Sequence, residues 1–164
     1  MPIRRAAATE SDYLKCRIAE ALVEAMFLRG GFEVSHGAQD AVRDEFVPDF
    51  MTTKTIVRPD SDRPLHQAIP VAVEYCEDVR AFLREASGAL STWVTQWPSI
   101  CLVVVTESPE AGRSCFQVID LAESDGRTTQ DLDKVPILDI YPTTVREYEQ
   151  LVGKLFRLLQ RPSC

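Results

Sequence analysis

Val71-Ala72-Val73-Glu74-Tyr75-Cys76, with Glu77-Asp78 behind it, decides how this chain is read. An apolar run closes on an acid, and the next apolar run, Ile100-Cys101-Leu102-Val103-Val104-Val105, is nearly continuous. A continuous run of that kind predicts a strand covered on both faces. Between the two lies a helical pattern from about Val79 to Trp97, with Phe82, Leu83, Ala86, Leu90, Trp93 and Val94 as its apolar side. Glu77 and Asp78 suit the positive end of that helix dipole. Strand, helix and strand at this spacing predict a right-handed parallel crossover, hence an α/β fold.

The upstream elements extend the sheet. Gln67–Tyr75 is a strand, although Pro70 argues that its early part is not centrally paired. Phe46–Thr53 is another, with Pro48 at its start, and Thr55-Ile56-Val57 extends or pairs with it. Arg58-Pro59-Asp60-Ser61-Asp62-Arg63-Pro64 is the clearest turn in the chain. Before it, Leu14, Ile18, Leu22, Ala25 and Met26 predict a helix over about Asp12–Leu28, stopped by Gly30-Gly31. Phe32–Ser35 reads as a short strand and Gly37–Glu45 as a loop.

Downstream, Ser108–Ser114 is a turn and Cys115–Leu121 a paired strand. The polar segment Ala122–Lys134 reads as a long loop and Pro136–Ile140 as a short edge strand. A last helix runs from a Thr143 cap to about Gln160. The predicted architecture is one three-layer α/β domain, a mixed sheet flanked by helices.

At 164 residues and 45% hydrophobic content the chain can fill one core, and no apolar stretch reaches the roughly 20 residues of a membrane helix. Two arginines near the start have no apolar run behind them, so a secretory signal is not expected and the cytoplasm is the expected compartment. The net charge of -7, from 25 acids against 18 Lys plus Arg, lowers the expectation of broad nucleic-acid binding. It leaves room for a metal-masked acidic site with a local basic face. Five cysteines (Cys16, Cys76, Cys101, Cys115, Cys164) show no zinc spacing with His36 or His66 and read as reduced thiols. A Cys76 nucleophile served by either histidine has no support from spacing.

Asp49 opens one strand and Glu74 closes the next, so both carboxylates fall at neighbouring strand ends. Two such carboxylates can hold one divalent cation, the core of many phosphodiester-cleaving sites. Each acid also has a plainer reading. Pro48-Asp49 is common turn chemistry. Glu20 lies beside the apolar stripe of its helix, where pairing with an arginine is the commoner role. Pro59-Asp60 is turn chemistry alone, and Trp93 and Trp97 read as packing residues.

Arg17-Ile18-Ala19-Glu20, Val47-Pro48-Asp49-Phe50 and Val71–Cys76, in this order along the chain, resemble the restriction-endonuclease-like, PD-(D/E)XK, superfamily. A looser match runs through Gln96-Trp97-Pro98-Ser99 into the buried strand, and the coverage is about residues 12–121. The resemblance implies a three-layer restriction-endonuclease-like core. It also implies Mg²⁺ or Mn²⁺ held by Asp49 and Glu74, with Glu20 approaching from the first helix. The family pattern places a lysine at Cys76, and a thiol has no fixed positive charge to replace it. Lys54 or Lys15 could supply a relocated ammonium, with Arg17 and Arg80 as phosphate contacts. Three functions stay open: an impaired domain acting by binding DNA or protein, an active Mg²⁺-dependent deoxyribonuclease using Asp49, Glu74 and Lys54 or Lys15, and an accessory protein-interaction domain without a metal site. Oligomeric state is undetermined.

Overall fold

The computed structural model describes residues 9–36, 47–122 and 127–160. In chain order these form α1 (Glu10–Arg29), β1 (Glu33–Ser35), β2 (Phe50–Ile56), β3 (Leu65–Tyr75), α2 (Val79–Glu85) and α3 (Ser87–Gln96). β4 (Cys101–Val105), β5 (Phe116–Ile119), β6 (Thr129–Asp131) and α4 (Pro142–Leu159) complete the order. The six strands lie side by side as β1-β2-β3-β4-β5-β6. Neighbours are antiparallel except β3 and β4, which run parallel in the register Val71↔Cys101 to Tyr75↔Val105. The crossover between them is α2 and α3, so this is a mixed sheet flanked by helices.

Strand alternation divides the core in two. Val71, Val73, Cys101, Val103, Val105, Phe116 and Val118 face α1 and α4, where Phe27, Phe50 and Phe156 are also buried. Ala72, Cys76, Leu102 and Val104 face α2 and α3 and share a cluster with Phe82, Leu90 and Trp93. Rings pack edge-on in the first layer, Phe27 lying 5.0 Å from Phe32 and 6.0 Å from Phe50.

Helix starts are set by local chemistry. Thr9 caps α1, accepting from the Asp12 N–H while the Asp12 carboxylate accepts from Thr9 N–H, a reciprocal capping box. Asp12 is thus the third residue of the helix rather than its start. Gly31, at φ 88°, makes the left-handed turn that lets the chain leave α1 for β1. Asp78 caps α2 by accepting from the Ala81 N–H at 3.0 Å. α4 begins with Pro142 in its first turn rather than at a Thr143 cap.

Pro48 lies just ahead of β2, and Pro70 just ahead of the stretch of β3 that β4 covers, as strand chemistry requires. Residues 65–70 of β3 pair only with β2, and β1 covers only Met51–Thr53 of β2, so the β2–β3 hairpin overhangs the sheet. Three further expectations differ. The helix over Val79–Trp97 is interrupted at Ala86, beside the weak helix formers Ser87 and Gly88. Part of the expected 122–134 loop is β6 followed by a 3-10 turn at Leu132–Lys134; Thr129-Gln130-Asp131 carries no apolar alternation to announce a strand. Pro136–Ile140 forms no strand, because Leu138 closes a turn onto the Val135 carbonyl and buries itself with Ile140 under α4. The expected 37–45 loop, Phe46, residues 123–126 of the expected 122–134 loop and Cys164 lie outside the described residues.

Candidate functional site

Asp49 stands immediately before β2, where the backbone ladder to β3 ends at Phe50↔Val71. Its Oδ2 accepts the Val73 N–H at 2.7 Å, so the carboxylate prolongs the ladder by one bond. One oxygen of the motif acid therefore has a structural duty. Glu74 lies opposite Val104 in the parallel pair and is only 5% exposed. It shares its side of β3 with Ala72 and Cys76.

Glu20 approaches from α1. Its Oε2 accepts from Arg17 Nη1 at 3.0 Å, one turn away on the same helix. Burial and the neighbouring Asp49 charge nevertheless push its carboxyl from 4.5 up to about 7. The Arg17 guanidinium is largely in water and cannot offset both. Cys16, one turn earlier, has its thiol raised by burial, against a hydrogen bond with the Tyr75 backbone, and by the charges of Glu74 and Glu20. The acids are thus electrostatic neighbours around the end of β3. Among the described residues, however, no three His, Cys, Asp or Glu side chains are disposed to hold a metal ion.

Both candidate lysines are engaged in other contacts. Lys54 donates to the Gly30 carbonyl at 3.0 Å and sits 4.9 Å from the Phe32 ring centre, closing the C-terminal end of α1. It is five residues along from Asp49, about 16 Å of extended chain. Lys15 is nearly buried, donates to the Tyr75 hydroxyl at 3.4 Å and lies over the Tyr75 and Phe156 rings at 5.2 and 5.8 Å. Cys76 is 1% exposed and belongs to the apolar cluster beneath α2 and α3. Arg80 pairs with Glu110 at 3.0 Å, both side chains well exposed.

Among the described residues, Cys16, Cys76, Cys101 and Cys115 form no disulfide, and burial pushes Cys101 up to about 12. A thiol raised that far is a poor nucleophile at neutral pH. Trp93, on α3, is buried in the apolar cluster between that helix and the sheet.

A polar network on β5 and β6 had no sequence signal, because its members come from a turn and two short strands. Asp131 Oδ1 accepts from Arg113 Nε and from the Ser114 N–H, both at 3.1 Å. Arg113 Nη2 donates to Gln117 Oε1 and to the Thr129 carbonyl and hydroxyl. Burial alone would raise Asp131, but the Ser114 N–H, Arg113 and Lys134 outweigh it and hold the carboxyl below its ordinary value.

The molecule is a three-layer α/β protein with acids gathered at one end of a mixed sheet. No family model, curated protein or solved structure matches the chain. Among the described residues, no helix is long and apolar enough to cross a membrane.

Glu20 gives the stability a definite pH dependence. Its folded-state value of about 7 lies above the ordinary 4.5, so the native state holds a proton that the unfolded state has lost. Stability then falls as pH rises from about 4.5 to about 7, by roughly 1–3 kcal/mol. Glu20→Gln should remove that slope and be the more stable form at pH 8. Urea unfolding of both proteins at pH 5 and pH 8 measures this; an unchanged slope in the variant would count against the assignment.

Proposed function

We propose that this chain is a restriction-endonuclease-like domain of PD-(D/E)XK descent that has lost hydrolysis and acts by binding nucleic acid or another protein. The supporting frame is the order helix, three antiparallel strands, helices and a parallel strand, with Asp49 opening β2 and Glu74 near the end of β3. The observation that carries the reading is Cys76. The position where the family pattern has its lysine is packed among Phe82, Ala86 and Leu90, with no cationic group of its own.

Asp49 and Glu74 offer hard oxygen donors, and Mg²⁺ typically takes one or two carboxylates and keeps several waters. Bound there, the ion would polarise a phosphodiester oxygen. Asp49 would bring one oxygen to it while the other stays on Val73 N–H. Lys54 closes α1 and supplies no positive charge at that place. The competing reading, an active Mg²⁺-dependent nuclease, draws on Lys15, which is already buried beside Tyr75 next to Glu74.

Asp49 variants test both parts. Asp49→Asn keeps an amide oxygen for Val73 N–H and should change stability by less than about 1 kcal/mol. Asp49→Ala strands that donor and should cost roughly 1–3 kcal/mol. Both should weaken Mg²⁺ or Mn²⁺ binding at least tenfold by calorimetry. The wild type should leave single- and double-stranded DNA intact with either metal. Cleavage that disappears in both Asp49→Asn and Lys15→Met would replace the binding reading with the active one.

A further inference from the structure

We propose that the cavity at the carboxyl ends of β3 and β4, on the α2 side, binds a small phosphate monoester of nucleotide size. The cavity has a volume of about 550 Å³, within the range of small-molecule sites. Its position is where open α/β sheets receive ligands, beyond the carboxyl ends of parallel strands.

Its two kinds of wall define the ligand. Val79, Leu83 and Pro109 give an apolar side suited to a flat ring. Arg80, Arg113 and Arg127 give a cationic side. Arg113 is held by Asp131, Gln117 and Thr129, so its guanidinium is fixed before any ligand arrives. Arg127 Nη2 donates to Ser91 Oγ at 3.1 Å. Arg127 Nη1 is buried and has no hydrogen-bond partner among the described residues. A charged donor buried without an acceptor is costly, so a phosphate that draws the Arg127 side chain into the cavity would relieve that cost.

The acids of the lining set the charge of the ligand. Asp78 is occupied in capping Ala81 N–H. Glu110 holds Arg80 in an exposed pair, the weak kind that an incoming phosphate can displace. Glu77 remains at the rim, and its charge disfavours polyphosphates. A monophosphate fits this balance better than a triphosphate. The same chemistry is carried by a free nucleotide and by the 5′-phosphate of a nucleic-acid strand.

The test is calorimetry on the full chain in EDTA, which makes the result independent of any metal at Asp49 and Glu74. The probes are AMP, UMP, ATP, adenosine and a short DNA strand with or without a 5′-phosphate. AMP or UMP should bind, adenosine and the unphosphorylated strand should not, and ATP should bind more weakly. Arg127→Gln and, separately, the exposed Arg80→Gln should each weaken binding about tenfold, while Asp49→Asn should leave it unchanged. Tighter binding of the 5′-phosphorylated strand than of AMP identifies a strand end as the ligand; the reverse identifies a free nucleotide. No binding of any phosphorylated probe at millimolar concentration, or binding that survives both arginine variants, overturns the proposal.

Discussion

Cys76→Lys is expected to lower the unfolding free energy by roughly 3 kcal/mol and to yield no metal-dependent cleavage. The substitution restores the family pattern in sequence but meets the structure badly. Cys76 is 1% exposed and packed with Phe82, Ala86 and Leu90, and its N–H is already spent on the Val105 carbonyl at 3.0 Å. A longer side chain must displace part of that cluster, and its ammonium must leave water. Glu74, two residues earlier on the same side of β3, would offset only part of this, because the desolvation penalty of a buried pair commonly exceeds its Coulomb gain. Urea unfolding combined with a plasmid assay in Mg²⁺ and Mn²⁺ measures both outcomes. A Cys76→Lys protein that is as stable as the wild type and cuts DNA would mean that the position had stayed open to the motif lysine.

Asp131→Ala should cost about 3 kcal/mol, well beyond the effect of an ordinary surface substitution. The carboxylate is 7% exposed and receives Arg113 at 3.1 Å, Lys134 at 3.3 Å and the Ser114 N–H. Removing it leaves the half-buried Arg113 Nε–H and the buried Ser114 amide without their acceptor. Lys134→Met is the contrast, since that lysine is 66% exposed and its pair is worth at most about 1 kcal/mol. The sign with pH follows from the lowered Asp131 carboxyl. Its contribution is complete above the ordinary aspartate range and is lost as pH falls through its own, lower value. Equal denaturation midpoints for Asp131→Ala and wild type at pH 7 would remove the network from the account of stability.

The sheet was legible where side chains repeat. Cys101–Val105 announced itself as a strand covered on both faces, and the spacing from Val79 to Trp97 announced the crossover. Pro48 and Pro70 correctly marked where β2 begins and where β3 enters the sheet interior. β6 was invisible, because a strand of Thr, Gln and Asp is held by ladder bonds and an arginine rather than by an apolar face. For the site, the sequence supplied the acids but not their secondary duties. Nothing in Pro48-Asp49 tells that the carboxylate holds Val73 N–H, nor that Lys54 closes a helix formed by residues far earlier in the chain. The arginine cavity had no motif at all, since α2, the β4–β5 turn and β6 meet only in the folded sheet.

The overhanging β2–β3 hairpin leaves this protein one dimension that can be altered at low cost. Its tip, residues 57–64, belongs to neither core cluster, and the strands beside it are paired only to each other. Inserted residues there extend an arm by about 3.3 Å per residue in each strand without disturbing a buried side chain. Related chains could therefore differ most in the reach of this arm while keeping the same acids at the far end of the same strands.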